Sequence, residues 1–169
     1  MKVGIRSVFA ALIIAILSSG CAIVKPGEVG VKRRLGKLSE KVLDQGAYFY
    51  NPFLTTVIKT PVRTVNLEIE LSLPSKEGLN ISAGISILYK IDKAKVPTLI
   101  ENIGTSYEQI IRNVFRSASA DICAQFMAKD MHSGQRAQIE GEIVKKMSEI
   151  LSETGIIIEN VLMKSIQLP

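Results

Sequence analysis

Apolar and polar residues alternate along the middle of the chain, in the pattern of strands that bury one face. Val62–Leu73 and Leu79–Ile91 both place apolar side chains at alternating positions, as half-buried antiparallel strands do. Pro74–Gly78 between them is a turn sequence, so the two strands are predicted to form a long hairpin. Shorter extended segments are predicted at Val29–Leu35, Ala47–Phe53 and Thr56–Lys59.

After the hairpin the apolar spacing changes to three and four residues, which is typical of amphipathic helices. Three helices are predicted, over Ala94–Ile103, Ser106–Met127 and Gln135–Thr154. Lys129–Gly134 separates the two long helices, and Ser133 is a candidate cap for the last one, which is predicted to end at Gly155.

The final segment, Ile156–Leu168, begins as a strand, but the parity of its apolar positions changes twice. Two parity changes predict two bulges. Strands, then helices, then a strand indicate an α+β fold, with a mainly antiparallel β-sheet and amphipathic helices packed on one face. Residues 25–169 are long enough for one domain with its own core.

The N-terminal stretch Ser7–Val24 has eighteen residues without a charge and follows a short basic flank. These features are typical of a secretory signal, and Leu17–Cys21 resembles the lipobox of bacterial lipoproteins, in which Cys21 would be acylated. The alternative is an uncleaved helix, since eighteen residues at about 1.5 Å each approach the ~30 Å of a hydrocarbon core. In both cases residues 1–24 are predicted to be a membrane anchor, with the domain on the periplasmic or extracytoplasmic side.

Charge is divided unevenly along the chain. Residues 1–65 carry ten Lys/Arg against three Asp/Glu, a net +7, whereas residues 66–169 carry a net −2. A basic segment beside an anchor favours attraction to anionic lipid headgroups, although an exposed strand edge would also carry such residues. The candidate headgroup contacts are Lys32, Arg33, Arg34 and Lys37, with the aromatic residues Tyr48, Phe49, Tyr50 and Phe53. Nucleic acid is not expected as a partner, because no aromatic residues interleave the basic ones.

The sequence offers little for catalysis. Its single histidine, His132, lies beside Asp130 and Ser133 in the segment between helices, but neighbours in sequence seldom form a triad. No Cys/His spacing suits a metal, and Cys123 is predicted to be a small buried side chain. We therefore expect a protein with no catalytic residues, no metal and no cofactor; an anchored hydrolase that uses His132 is the weakest hypothesis.

Several short motifs, in their order and spacing, resemble the SPFH family (stomatin/prohibitin/flotillin, or band 7), and most closely its prohibitin branch. They are Pro26–Val31, Asp44–Gly46 leading into Asn51–Phe53, Val65–Leu67, Glu77–Ile81, Tyr89–Asp92, Tyr107–Glu108, Arg136, and the ending from Gly155 to Pro169. The resemblance covers nearly the whole chain after the anchor. In that family a long Ala/Glu-rich helix follows the domain and builds a ring wall, and this C-terminal coiled coil is expected to be absent here.

The resemblance implies a non-enzymatic, membrane-anchored scaffold that forms homo- or hetero-oligomers with other SPFH chains. It also implies that the scaffold organises lipids or membrane proteins and modulates a membrane-bound ATP-dependent protease. A second hypothesis is a monomeric periplasmic lipoprotein that binds a small ligand or an envelope component in a cleft. A pocket with converging polar groups would favour this second hypothesis.

Overall fold

A computed structural model describes residues 20–132 and 134–167. The chain divides into two compact units, one ending at Thr60 and the other beginning at Pro61. Residues 1–19, which hold most of the predicted anchor, lie outside the described residues, as do Ser133 and the last two residues. The strands and helices confirm the predicted α+β class, with antiparallel pairing in the strand pairs that follow.

The first unit consists of β1 (Gly20–Val24), β2 (Glu28–Arg34), β3 (Lys37–Leu43), β4 (Gly46–Tyr50) and β5 (Thr55–Pro61). One sheet pairs β1 with β4, and a second has the order β3-β2-β5. A Cβ atom added to Gly30 would lie 3.1 Å from side-chain atoms of both Val24 and Val57. Glycine at this position therefore avoids a tight contact and lets β1, β2 and β5 approach closely.

Strand β1 includes Gly20–Val24, the last residues of the predicted anchor segment. Its side chains alternate, with Ala22 and Val24 buried while Cys21 and Ile23 are exposed. This period of two is that of a strand, so these residues begin the folded unit rather than end a helix. Strand β3 was not predicted, because Lys37–Leu43 includes no fully buried side chain and shows no apolar alternation.

The second unit is built on the sheet β6-β7-β8, with β6 at Val65–Pro74 and β7 at Asn80–Ile91. The register runs from Val65 opposite Tyr89 to Pro74 opposite Asn80, which confirms the predicted hairpin. Most of the apolar positions that the alternation predicts are buried: Leu67, Ile69, Leu73, Ile81, Ala83, Ile85, Ile87, Tyr89 and Ile91. Of the others, Val65 and Leu71 are half-buried, and Leu79, in the turn, is exposed.

Strand β8 (Ile156–Gln167) pairs antiparallel with β7 and carries one extra residue at each of two places. The register shifts at Glu159 and again at Lys164. Because each extra residue reverses the parity of those that follow, Val161 and Met163 return to the buried face. The two predicted bulges are confirmed.

Four helices lie between β7 and β8 in the described sequence: α1 (Val96–Asn102), α2 (Tyr107–Cys123), α3 (Ala128–His132) and α4 (Arg136–Leu151). Helix α2 contacts β6, α4 contacts β8, and α2 and α4 contact each other. Their buried residues lie at helical spacing, such as Ile139, Ile143 and Met147 on α4. The helices thus pack on the apolar face of the sheet, as predicted.

The segment between the long helices differs from the prediction, because Ala128–His132 forms the short helix α3. The carboxylate of Asp130, the third residue of α3, accepts a hydrogen bond from the backbone N–H of Met127, which precedes the helix, at 3.3 Å. This is the backward bond of a capping box. Gln135 occupies the N-cap position of α4, without a side-chain capping bond. Of the helices that the structure describes, none is long and apolar enough to cross a membrane.

Candidate membrane-facing site

The first unit brings the start of β1 and two turns to the same end. Gly20 pairs with Tyr50, the last residue of β4, and the turn Asn51–Leu54 follows directly. The backbone N–H of Leu35, in the turn between β2 and β3, donates to the Leu54 carbonyl at 3.0 Å. Gly20, the first described residue, therefore lies at the same end of the unit as both turns, and we call this the anchor end.

Leu35 is held in an unusual conformation in the first of these turns. Leu35 has φ +49 and Gly36 has φ +88, the left-handed pair found in tight hairpins that ordinarily carry Asn-Gly. A leucine in this region costs roughly 1–2 kcal/mol. Its side chain is nevertheless 76% exposed, so the strain is not offset by burial within this unit.

The second turn also exposes apolar side chains. The side-chain oxygen of Asn51 accepts from the Phe53 N–H at 2.9 Å, and the Asn51 carbonyl accepts from the Thr55 N–H at 2.9 Å. These bonds fix a tight loop in which Phe53 is 81% exposed and Leu54 is 41% exposed. Two neighbouring turns thus present leucine and phenylalanine outward at the anchor end.

A pocket of about 550 Å³ lies between β2, β3, the end of β4 and the start of β5. Its lining consists of Lys32, Arg34, Lys37, Leu38, Ser39, Phe49, Tyr50, Asn51, Leu54 and Thr55. Five of the eight predicted headgroup contacts meet here. The other three, Arg33, Tyr48 and Phe53, lie outside the lining, although the Lys32 Nζ is 6.0 Å from the Tyr48 ring centroid, within cation–π range.

A model of the SPFH domain / Band 7 family matches residues 22–169. The chain belongs to this family. It is 29% identical to prohibitin-1 of Saccharomyces cerevisiae over 157 residues, which cover 89% of this chain and 54% of the yeast protein. Prohibitin-1 of Colletotrichum higginsianum is 28% identical over 154 residues, covering 90% of this chain and 56% of that protein. Prohibitin-2 of Gallus gallus is 21% identical over 127 residues, 75% of this chain and 42% of the relative.

This SPFH chain spans about half the length of the curated relatives it matches. Membership of the SPFH/prohibitin-like family supports a role as a membrane-associated scaffold and is typical of proteins without enzymatic activity.

Cys21, the predicted lipid attachment site, lies in β1 of this SPFH domain with its side chain exposed, opposite Phe49 in β4. Acylation requires an accessible thiol, and the exposure of Cys21 is compatible with that requirement. The other cysteine, Cys123, is fully buried, and burial raises the pKa of its thiol to about 11. Because thiols react as thiolates, Cys123 is inert at neutral pH, as its predicted role as a buried side chain requires.

In the described part of the chain, the residues considered for catalysis do not come together in a catalytic arrangement. Asp130 uses its carboxylate as a helix cap, while Ser133 and the side chain of His132 lie outside the described part of the chain. Tyr89 is buried, and desolvation raises its pKa, with a further contribution from Glu108, whose carboxylate accepts from its hydroxyl at 3.3 Å. Within the described ranges no three His, Cys, Asp or Glu side chains are placed to share a metal ion.

Several residues of the anchor end were missed by sequence reasoning. Leu35 and Leu54 are exposed in the two turns, and Ser39, Asn51 and Thr55 add polar groups to the pocket. One signal was present: Leu35-Gly36 stands between Arg34 and Lys37, an apolar residue and a glycine flanked by cations. The polar pocket residues had no such signal, because they meet only through the pairing of β2 with β3 and β5.

Proposed function

We propose that this protein is a non-enzymatic scaffold whose first unit lies against the membrane at its anchor end. The observation that supports the proposal is the bond between Leu35 and Leu54, which holds two apolar turns beside the residue where the N-terminal segment enters. The transfer of exposed leucine and phenylalanine side chains from water to the acyl-chain boundary of a bilayer is favourable. Family membership supports the same role.

The cations around these turns strengthen the proposed contact. Arg33, Arg34 and Lys37 flank the Leu35 turn, and basic residues near an anionic bilayer contribute about 1 kcal/mol each. The contact is therefore apolar at the two turn tips and electrostatic around them. This combination predicts binding that depends on anionic lipid and weakens with salt.

Hydrogen exchange of the full chain in lipid nanodiscs tests this contact. In discs with about 30% anionic lipid at low salt, the backbone amides of residues 33–37 and 51–55 are expected to exchange more slowly than in zwitterionic discs. The reason is that each nearby cation contributes about 1 kcal/mol to the attraction for the anionic surface. The double variant Arg33→Glu, Arg34→Glu should lose this protection. The matched control is Lys145→Glu, Lys146→Glu on exposed positions of α4, which should retain it. Equal exchange in both kinds of disc would contradict the contact.

We further propose that the anchor is a lipid on Cys21, on the periplasmic side of the membrane. Because β1 includes Gly20–Val24, at most thirteen of the eighteen uncharged residues, Ser7–Ser19, are left for a helix. As a helix they would extend about 20 Å, less than the ~30 Å of a hydrocarbon core. An inhibitor of lipoprotein signal peptidase should therefore change the mass of the mature protein; an unchanged mass would support the uncleaved helix instead.

Association with other SPFH chains, organisation of lipids or membrane proteins, and modulation of a membrane-bound ATP-dependent protease are proposed from the family resemblance. The mass of the complex extracted in mild detergent tests the first of these. Assemblies of tens of subunits would support the scaffold. A monomer would contradict it.

The second candidate function is a monomeric periplasmic lipoprotein that binds a small ligand or an envelope component. The pocket favours it, since about 550 Å³ is within the usual range for small-molecule sites. The same mass measurement separates the two functions, because only the scaffold requires association.

A further inference from the structure

We propose that the pocket at the anchor end binds one phosphate group of an anionic membrane lipid. The inference rests on the proposed function and deepens it, because it replaces a diffuse attraction to headgroups with a single saturable site. It commits to a lipid phosphate as the occupant, with free phosphate as an alternative that the experiment separates.

The charge of the pocket is the first argument. Lys32, Arg34 and Lys37 line it, and no lining residue is acidic. Among the ion pairs within the described ranges, none involves these three side chains. Three cations around one cavity that has no carboxylate in its lining attract an anion. A phosphate suits them, because it accepts charge-assisted hydrogen bonds from Lys and Arg.

Neutral donors are placed in the same lining. Asn51 uses its side-chain oxygen to accept from Phe53 N–H at 2.9 Å, which leaves its NH₂ group as the donor. Ser39 accepts from the Lys41 N–H at 3.2 Å through its hydroxyl oxygen, so its own O–H can still donate. The hydroxyl of Thr55 belongs to the lining as well. Phosphate oxygens are acceptors only, and this set of donors suits them.

The rest of the lining favours a lipid over a free ion. Leu38, Phe49 and Leu54 supply an apolar wall, and about 550 Å³ is far larger than an inorganic phosphate requires. Phe49 of this wall lies opposite Cys21, the proposed lipid attachment site, in the pairing of β1 with β4. A lipid could therefore place its phosphate among the cations and its glycerol and first methylenes against the apolar wall.

Phosphorus NMR titration of the full chain in non-ionic detergent tests the site without a charged bilayer. The probes are dihexanoyl phosphatidic acid, dihexanoyl phosphatidylcholine and inorganic phosphate. Phosphatidic acid should bind saturably and at least tenfold more tightly than the other two. Lys37→Glu should weaken this binding at least tenfold. Lys41→Glu, the same charge change on β3 outside the lining, should change it less than twofold.

Three outcomes would overturn the site: no saturable binding of phosphatidic acid, equal binding of inorganic phosphate, or equal losses in the two lysine variants. The variant Lys37→Gln is the folding control. Its melting temperature should equal that of the wild type, and its binding of phosphatidic acid should be weakened. Failure of the site is distinguishable from failure of the membrane contact, since the exchange protection of residues 33–37 and 51–55 in anionic discs is measured separately.

Discussion

The carboxylate of Glu140 on helix α4 accepts a hydrogen bond from the backbone N–H of Met163 on β8, with 2.7 Å between Oε1 and N. Met163 precedes the bulge at Lys164, where the ladder with β7 is irregular. The same carboxylate oxygen is 3.3 Å from the Arg136 Nε. A single helix side chain thus satisfies a strand N–H at the point where the sheet does not follow its regular register.

Replacing Glu140 with alanine should lower the free energy of unfolding by about 1–3 kcal/mol, because the Met163 N–H would lose its partner in a mostly buried position. Urea unfolding followed by circular dichroism measures the change. Glu149→Ala, at an exposed position of the same helix, is the control and should have little effect. Equal losses in the two variants would show that the bond to Met163 does not stabilise the fold.

Gly155→Ala should be among the most destabilising small changes in the second unit. Gly155 has φ +84, and an added Cβ would lie 2.5 Å from the Cβ of Lys95. The strain and the overlap together should cost about 3 kcal/mol or more. Gly104→Ala is the matched control, because Gly104 has the same φ and open space around it. Without the overlap, Gly104→Ala should cost only about 1–2 kcal/mol. Equal losses of the two variants in thermal unfolding would contradict the overlap at Gly155.

Leu35→Asn should stabilise the protein and weaken its membrane contact at the same time. Asparagine tolerates the left-handed conformation, so the free energy of unfolding should rise by up to about 1 kcal/mol. Removal of the exposed leucine should speed amide exchange in the turn when the chain is in anionic nanodiscs. Phe53→Asn separates the two effects, since Phe53 does not have a positive φ: it should weaken the contact without raising stability. A Leu35→Asn protein with unchanged exchange would show that Leu35 does not enter the membrane.

The buried thiol of Cys123 should make stability depend on alkaline pH. Its pKa is about 11 in the folded chain, against 9.0 for the ordinary thiol. A raised pKa means that the folded state holds the proton more tightly, so this stabilisation is complete below pH 9 and is lost as the pH rises through 11. Wild type should therefore lose more stability than Cys123→Ala between pH 9 and 11 in urea unfolding. Parallel pH profiles for the two proteins would exclude the effect.

The second unit could be predicted almost entirely from the sequence, because each of its elements buries one face. In β6 and β7 the period of two is unbroken, and in β8 the two changes of parity correspond to extra residues in the ladder. In helices α2 and α4 the buried residues recur at three- and four-residue spacing. Each buried face requires apolar residues at a regular spacing, and that spacing is visible in the sequence.

The first unit was harder to predict, and the candidate site lies there. Its strand β3 has no fully buried side chain, so nothing in its composition marks it as a strand. Strand β1 lies at the end of an apolar run, where its alternation cannot be separated from a membrane anchor by hydropathy. Charge and aromatic content singled out five of the pocket residues as headgroup contacts but did not predict a pocket, and Ser39, Asn51 and Thr55 join them only in the folded unit.

In the ladder between β1 and β4, Cys21 lies opposite Phe49 and Val24 lies opposite Gly46. If the signal is cleaved directly before Cys21, this cysteine is the first residue of the ladder that remains. A lipid on this cysteine would have no spacer between it and the sheet. The distance of the first unit from the bilayer would then be fixed by the sheet itself. Any force that lifts the unit away from the membrane would load the hydrogen bonds between β1 and β4 directly.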